Sequence, residues 1–434
     1  MKNRLKSISV ILIALIVTLS FCSCKKEGVT TVNGVPITEY TVIYKSGDML
    51  SQYAAQVFAD RLKEIENFEI PILPDSEGIS ENEILIGDTN RNEDSITDIT
   101  MQNDEYAVFC RNKKIVLYAN GYMVGGAANE LLNRIEKDNK VKLSSKIAPQ
   151  KYKFESPKNV ILMIGDGMGV NHIEAAKQNG MPYFASEQFD NVGFVTTYSY
   201  SVSPMNTAVA TDSAAAATAM ATGVKTQNGY LGIDYLGKSI TNVREIAAEK
   251  GAKTAVITTD VTTGATPSGF TVHVLNRDMT SEIKKQQDEL VASNRITVLK
   301  GELDDNLLPE TKEMLKTLSD GNSGYFAMIE EAYIDKNSHK NDFEKMIHTV
   351  KRFNSTVAYV SEFVLMHPDT ALIVTADHET GGITKDGNGN YCFTTENHTN
   401  SNVKIFALGQ NTEHFSKNTV DNTYIAEFIK NIFL

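Results

Sequence analysis

Three short segments put acids, a serine and a histidine where strands end or helices begin: Ile164-Gly165-Asp166-Gly167-Met168-Gly169, Thr211-Asp212-Ser213-Ala214-Ala215 and Thr375-Ala376-Asp377-His378. Asp166, Glu330 and Asp377 each follow, immediately or within two residues, an apolar run that reads as a buried strand. Ligands bind beyond the carboxyl ends of the strands in open α/β sheets, so the three acids are expected on one rim. Carboxylates crowded into a desolvated site repel one another strongly, and bound cations are the simplest remedy. Asp377-His378 offers neighbouring oxygen and nitrogen ligands, a pairing that zinc accepts. Asp335 and His339 are four apart, which puts both on one face of a helical turn, and His398 comes ahead of the last apolar strand. Gly165 and Gly167 suit a tight turn where backbone approaches an ion closely.

Ser213 is the candidate nucleophile. It stands before Ala214-Ala215-Ala216-Ala217-Thr218-Ala219, a run of strong helix formers, so its oxygen is expected at a helix N-terminus, where the macrodipole favours an anion. A serine hydroxyl is a weak nucleophile until a cation or base activates it. Arg277 presents a planar fork of donors suited to two phosphate oxygens, and Thr266 could give a hydroxyl to a hard cation such as magnesium. Taken singly, each residue has a plainer role: an aspartate that forms a turn, an N-cap at Asp212 or Ser213, a surface ion pair at Arg277. Three histidines and three acids within one stretch favour chemistry over all of these together.

Strands and helices must carry these groups to one place. Asn159 to Ile164 is a continuous apolar run with β-branched residues, as in a strand buried on both faces of a parallel sheet. Similar runs at 254–258, 326–329, 371–375 and 403–408 alternate with helical stretches such as 243–250 and 343–365, which predicts a three-layer α/β/α sandwich around a mostly parallel sheet. Ahead of it, residues 28–140 read as a small α/β domain. Leu50, Ala54, Val57, Phe58, Leu62 and Ile65 recur at helical spacing, Ile84-Leu85-Ile86 reads as a strand, and 106–110 with 114–118 as a hairpin; a second helix is expected near 126–135. This domain carries no histidine, so catalysis is assigned to the second. Residues 141–157, rich in Ser, Pro and Lys, read as a linker to the catalytic domain at 158–434.

The formal net charge of -12 repels polyanions, which argues against nucleic acid as a partner. Lys2, Arg4 and Lys6 followed by an apolar run from Ile8 to Phe21 have the layout of a secretory signal, too short for a comfortable membrane span. The run ends at Phe21-Cys22-Ser23-Cys24-Lys25-Lys26, which resembles a bacterial lipoprotein processing box. Residues 1–24 are therefore expected to direct export. The lipid would sit on Cys24, behind the small Ser23, in preference to Cys22, anchoring the protein on the outer face of the cytoplasmic membrane. A plain cleaved signal is the alternative, and it also places the protein outside the cytoplasm. Only Cys110 and Cys392 remain beyond this segment, so a disulfide framework is not expected and metal binding must rely on His, Asp and Glu.

From Asn159 to the C-terminus the chain resembles the alkaline phosphatases, particularly the compact bacterial type. The resemblance is carried by Thr211-Asp212-Ser213-Ala214-Ala215-Ala216-Ala217-Thr218-Ala219 and its continuation Thr222-Gly223-Val224-Lys225-Thr226. It implies two zinc ions and one magnesium ion. Asp166 would bridge a zinc and the magnesium, with Asp377, His378 and the Ser213 oxygen completing that zinc. Asp335, His339 and His398 would hold the second zinc, and Asp166, Thr266 and Glu330 the magnesium. Arg277 would clamp the free phosphate oxygens of a small phosphate monoester, and a phosphoserine would form on Ser213. At Gly264, two before Thr266, the family usually carries Asp or His near the magnesium, so the resemblance implies a thinner outer shell there.

A homodimer is one option for the assembly, and a cell-surface polysaccharide one for the small domain. Two other readings of the chain remain: a phosphodiesterase or sulfatase of the same superfamily, and a surface-anchored binding lipoprotein without activity. Arg277 together with Glu330 favours a dianionic monoester over a diester, and Ser213 lacks the Cys/Ser-x-Pro-x-Arg context of a sulfatase.

Overall fold

The computed structural model describes residues 28–91, 100–119, 122–200, 209–416 and 419–434; the expected signal segment, with Cys22 and Cys24, lies outside them. Toward the N-terminus, β1 (Thr41–Tyr44), β2 (Ile72–Pro74), β3 (Glu83–Ile86), β4 (Glu105–Arg111), β5 (Lys114–Ala119) and β6 (Gln150–Lys151) form one sheet in the order β2-β1-β3-β5-β4-β6. Helices α1 (Met49–Glu66) and α2 (Val124–Lys137) pack on it. The hairpin between β4 and β5 turns on Asn112 and Lys113, both with positive φ (50° and 64°), the backbone twist that a two-residue hairpin loop needs.

The stretch expected to be a linker is in part built into this unit. Val141 pairs with Val32, β6 pairs antiparallel with β4, and the Tyr152 hydroxyl donates to the Leu365 carbonyl at 2.6 Å. Its serines and prolines suggested a spacer, but Val141, Leu143, Ile147, Tyr152 and Phe154 interleave with them and find cover against the core.

The second half forms an eight-stranded sheet. Its strands are β7 (Asn159–Gly165), β8 (Asn191–Thr196), β9 (Lys253–Thr258), β10 (Val298–Lys300), β11 (Tyr325–Glu331), β12 (Thr370–Thr375), β13 (Val403–Leu408) and β14 (Thr419–Asp421), in the order β10-β9-β11-β7-β12-β13-β8-β14. All neighbouring pairs are parallel except those made by β13. With flanking helices this is the α/β fold the alternation of elements predicts. β7 lies between β11 and β12 and is buried along its whole length, consistent with its unbroken apolar run.

Three helices matter most to the site. α3 (Ser213–Thr222) begins at the candidate nucleophile and α4 (Tyr333–His339) carries Asp335 and His339. The long α5 (Phe343–Leu365) lies behind them and also receives α1 and α2 of the first unit. At that junction Tyr53 meets Tyr359 edge to face, with ring centroids 5.9 Å apart.

Candidate active site

Register brings the acids together. Ile164 of β7 is level with Glu330 of β11 on one side and Thr375 of β12 on the other, so the turns after β7 and β12 put Asp166 and Asp377 at the edge that Glu330 already occupies. Glu330 lies inside its strand, not after it as the sequence suggested. Gly167 has φ +73°, and a Cβ there would stand 2.8 Å from Thr380 Oγ1 and 2.9 Å from the Asp335 backbone. The missing side chain lets this turn press against Asp335, and its N–H donates to Asp377 Oδ1 at 3.0 Å. The His378 N–H holds the same oxygen at 2.9 Å. Asp377 Oδ2 and Asp166 Oδ1, both buried, have no hydrogen-bond donor.

The histidines face these acids with a defined nitrogen. His398 Nδ1 is 2.7 Å from the Thr211 carbonyl and His339 Nδ1 meets the Glu396 carbonyl. A carbonyl only accepts, so both Nδ1 atoms carry hydrogen, and each ring in its neutral form presents the Nε2 lone pair. The Thr380 hydroxyl donates to Asp335 Oδ1 and so accepts from His378 Nδ1 at 3.2 Å, which gives His378 the same tautomer.

The three Nε2 lone pairs then point at other acceptors. His378 Nε2 is 3.2 Å from Asp377 Oδ2 and 3.5 Å from Asp166 Oδ1. His339 and His398 Nε2 are 3.3 and 3.4 Å from Asp335 Oδ1 and 3.0 Å from each other. Lone pair facing lone pair is unfavourable unless a positive centre lies between them. Two nitrogens on one tetrahedral zinc are about 3.3 Å apart, so the spacing fits that ion. Among the described residues, Asp166, Asp377 and His378 form one group able to hold a metal, and Asp335, His378 and His398 another.

Electrostatics point the same way. Burial, reinforced by the charges of Asp377, Asp335 and Glu330, pushes the Asp166 carboxyl well above the carboxylate range. Burial also lifts Asp377 to about 6 and Glu330 to about 8, the latter against the hydrogen bond from the Thr258 hydroxyl. Burial acts to raise Asp335 as well, but the facing imidazoles of His398, His378 and His339 outweigh it and hold this carboxyl low. Burial keeps His378 neutral, well below the ordinary imidazole range, as a ligand nitrogen must be.

Ser213 opens α3, whose N-cap is Asp212: its Oδ1 accepts from the Ala215 N–H at 2.9 Å. Ser213 Oγ lies 3.2 Å from His378 Nε2 and donates to it. Asp212 Oδ2 accepts from the Gly229 N–H at 2.9 Å and from Arg277 Nη1 at 3.3 Å, so one carboxylate caps the helix and tethers the arginine beside the serine. The alanines of α3 serve proximity. A Cβ on Gly269 would stand 2.6 Å from Ala217 Cβ, so α3 packs closely on the short helix Ala265–Gly269, which carries Thr266. Thr266 Oγ1 is buried with no hydrogen-bond partner.

The family profile described as alkaline phosphatase matches residues 157–301 and 297–396, more than half of the chain. The chain belongs to the alkaline phosphatase family. Alkaline phosphatase 4 of Bacillus subtilis (strain 168) is 30% identical over 300 residues, 54% of this chain and 63% of that protein. Alkaline phosphatase 3 of the same organism is 30% identical over 302 residues, 55% and 64% of the two chains. The chain thus spans just under two thirds of the length of these curated relatives. The solved alkaline phosphatase of the Antarctic bacterium TAB5 superposes with a TM-score of 0.58 at 26% identity, covering 65% of this chain and 99% of that one. A His 135 Asp variant of that enzyme holds Mg in a site named M3.

Within this alkaline phosphatase fold, Asp166, Ser213, Asp335, His339, Asp377, His378 and His398 lie in one connected cluster. Arg277 joins it through Asp212, and Glu330 and Thr266 stand at its buried side. Several supporting residues escaped the sequence reading: Thr380, which sets the His378 tautomer; Thr258, which donates to Glu330; and Glu331, gripped by Arg352 through two 2.9 Å hydrogen bonds. Thr380 lies two residues from His378 and has a hydroxyl, a signal the sequence did offer. Glu331 and Arg352 are joined only by the packing of α5 against the sheet.

Proposed function

We propose that the protein hydrolyses phosphate monoesters through a phosphoserine on Ser213, using two zinc ions and one magnesium ion, outside the cytoplasm and with a lipid anchor on Cys24. The carrying observation is that the imidazole Nε2 atoms of His339, His378 and His398 face buried carboxylates within hydrogen-bond reach of a serine that opens a helix. Asp166, Asp377 and His378 would hold one zinc, Asp335, His339 and His398 the other, and Asp166, Thr266 and Glu330 the magnesium. When bound, these cations neutralise the carboxylates, acidify the serine hydroxyl and a water molecule, and offset charge on the departing oxygen.

The residues of the chain supply position. Arg277, tethered by Asp212, offers two donors to the non-bridging phosphate oxygens, and the start of α3 adds its partial positive charge at Ser213 Oγ. Ser213 releases its hydroxyl proton to solvent, and its oxygen bonds to phosphorus as the ester P–O bond breaks and the leaving oxygen takes a proton from water to depart as the alcohol. Water then attacks the same phosphorus, the Oγ–P bond breaks, and phosphate and the free hydroxyl return. Charge stabilisation carries most of the acceleration, as loose phosphoryl-transfer transition states require.

Rapid quenching with labelled substrate should leave phosphate on Ser213, and Ser213→Ala should lower turnover about a thousandfold or more. Undiminished turnover by that variant would remove Ser213 from the role. A panel of monoester, diester and sulfate substrates separates this reading from the phosphodiesterase and sulfatase alternatives.

A further inference from the structure

Gly264 stands where a magnesium-facing side chain would be expected, yet the space beside it is filled. A Cβ on Gly264 would come 2.8 Å from Asp260 Oδ2 and 3.0 Å from the Val261 carbonyl. The carboxylate that reaches this place is fixed by its own loop. The Asp260 N–H donates to Thr258 Oγ1 at 2.9 Å, and its carbonyl accepts from the Glu302 N–H at 2.6 Å. Thr258 Oγ1 in turn donates to Glu330, so a single hydroxyl links the backbone of Asp260 to the Glu330 carboxylate. Asp260 is close enough for its charge to be felt at Glu330. On its outer side it forms an ion pair with Lys336, the residue after Asp335. A buried, unpartnered Thr266 Oγ1 lies two residues beyond Gly264. The glycine is the clearance that lets Asp260 in.

We propose that Asp260 is the positioning carboxylate for the cation held by Asp166, Thr266 and Glu330, taking the place that a side chain at 264 would fill, and that its ion pair with Lys336 limits how tightly that cation is held. This rests on the magnesium part of the function proposed above. Asp260 orients the water around the cation and adds negative charge to its surroundings, while Lys336 competes for the same carboxylate. The outer shell is therefore complete, but it is supplied from a different position in the loop.

The test is a magnesium titration of the zinc-loaded protein, read as the rise in melting temperature, with zinc and magnesium content measured after dialysis. Asp260→Asn should raise the magnesium midpoint about tenfold or more, the usual effect of losing an outer partner, with zinc content unchanged. Lys336→Met should lower the midpoint, and should do nothing once Asp260→Asn is present. A midpoint for Asp260→Asn within about twofold of the parent, or an equal loss of zinc and magnesium, overturns the inference. Should Asp260→Asn fail to fold, Lys336→Met decides: an unchanged or raised midpoint overturns it. If Glu330→Gln abolishes the magnesium response and Asp260→Asn leaves it intact, only this inference falls. If the parent protein shows no magnesium response, the magnesium site falls with it.

Discussion

Stripping the cations with a chelator should give the protein an unusual pH dependence, set by its buried carboxyls, Glu330 among them. In the fold this carboxyl is raised from 4.5 to about 8 by burial. Below about pH 4.5 it is protonated in both folded and unfolded chains and has no effect on stability. Between the two values the unfolded chain has released the proton and the folded one still holds it, so stability falls as pH rises. Above about pH 8 the full penalty applies, on the order of 5 kcal/mol for this group. Asp377, raised to about 6, and Asp166, pushed well above the carboxylate range, add to the decline.

Chelated protein should therefore lose on the order of 10 °C in melting temperature between about pH 5 and pH 8. The metal-loaded form should not show this decline, because cations replace the protons. Thermal melts across that range, with and without chelator, measure the effect, and Glu330→Gln should flatten much of it. A chelated protein whose stability is level or rising over this range, or a Glu330→Gln variant that declines as steeply as its parent, would refute the reasoning.

Arg277→Ala removes two charge-assisted hydrogen bonds to phosphate and should raise KM and the inhibition constant of inorganic phosphate roughly 10- to 100-fold, read in steady-state kinetics. Arg352→Met leaves Glu331 buried without its partner and should destabilise by about 3–5 kcal/mol in denaturant titration, with part of the loss restored by adding Glu331→Gln. Gly125→Ala places a Cβ 2.5 Å from Glu362 Oε2 and 2.8 Å from Leu365 Cβ, where α2 crosses α5. It should cost about 1–3 kcal/mol in the same assay.

Much of the site was legible because parallel sheets bury their strands on both faces. The apolar runs before Asp166 and Asp377 mark strand ends, and the polar residues that follow have few places to go but the rim. The alanine run after Ser213 was legible too, since a polar cap followed by small helix formers fits close helix packing. Glu330 and Glu331 show where this reading stops. Successive side chains on a strand point to opposite faces, so one glutamate enters the site and the other meets Arg352, and nothing within the pair says which. Asp260 was missed for a related reason: its placement depends on a side chain that Gly264 does not have. The segment 141–157 packs more closely than its Ser, Pro and Lys content suggests, because Val141, Leu143, Ile147, Tyr152 and Phe154 fall among those residues and meet the core.

One helix joins the two halves of this account. Along one face of α5, Thr349 Oγ1 accepts from Asn337 Nδ2 at 3.2 Å, between Asp335 and His339 on α4, and Arg352 holds Glu331 one residue from Glu330. Farther along, Tyr359, Glu362 and Leu365 meet α1, α2 and Tyr152 of the first unit. Because a helix is stiff over such a length, the side chains that brace the site residues and those that seat the first unit share one rigid body. Glu362, fully buried and pushed well above its ordinary carboxyl range chiefly by burial, fits this contact as a neutral acid. The close approach at Gly125 leaves it no room to reach water, so the seat of the first unit on α5 is built for tight packing of uncharged groups, whereas the site at the other end of the same helix gathers ionisable carboxyls and imidazoles.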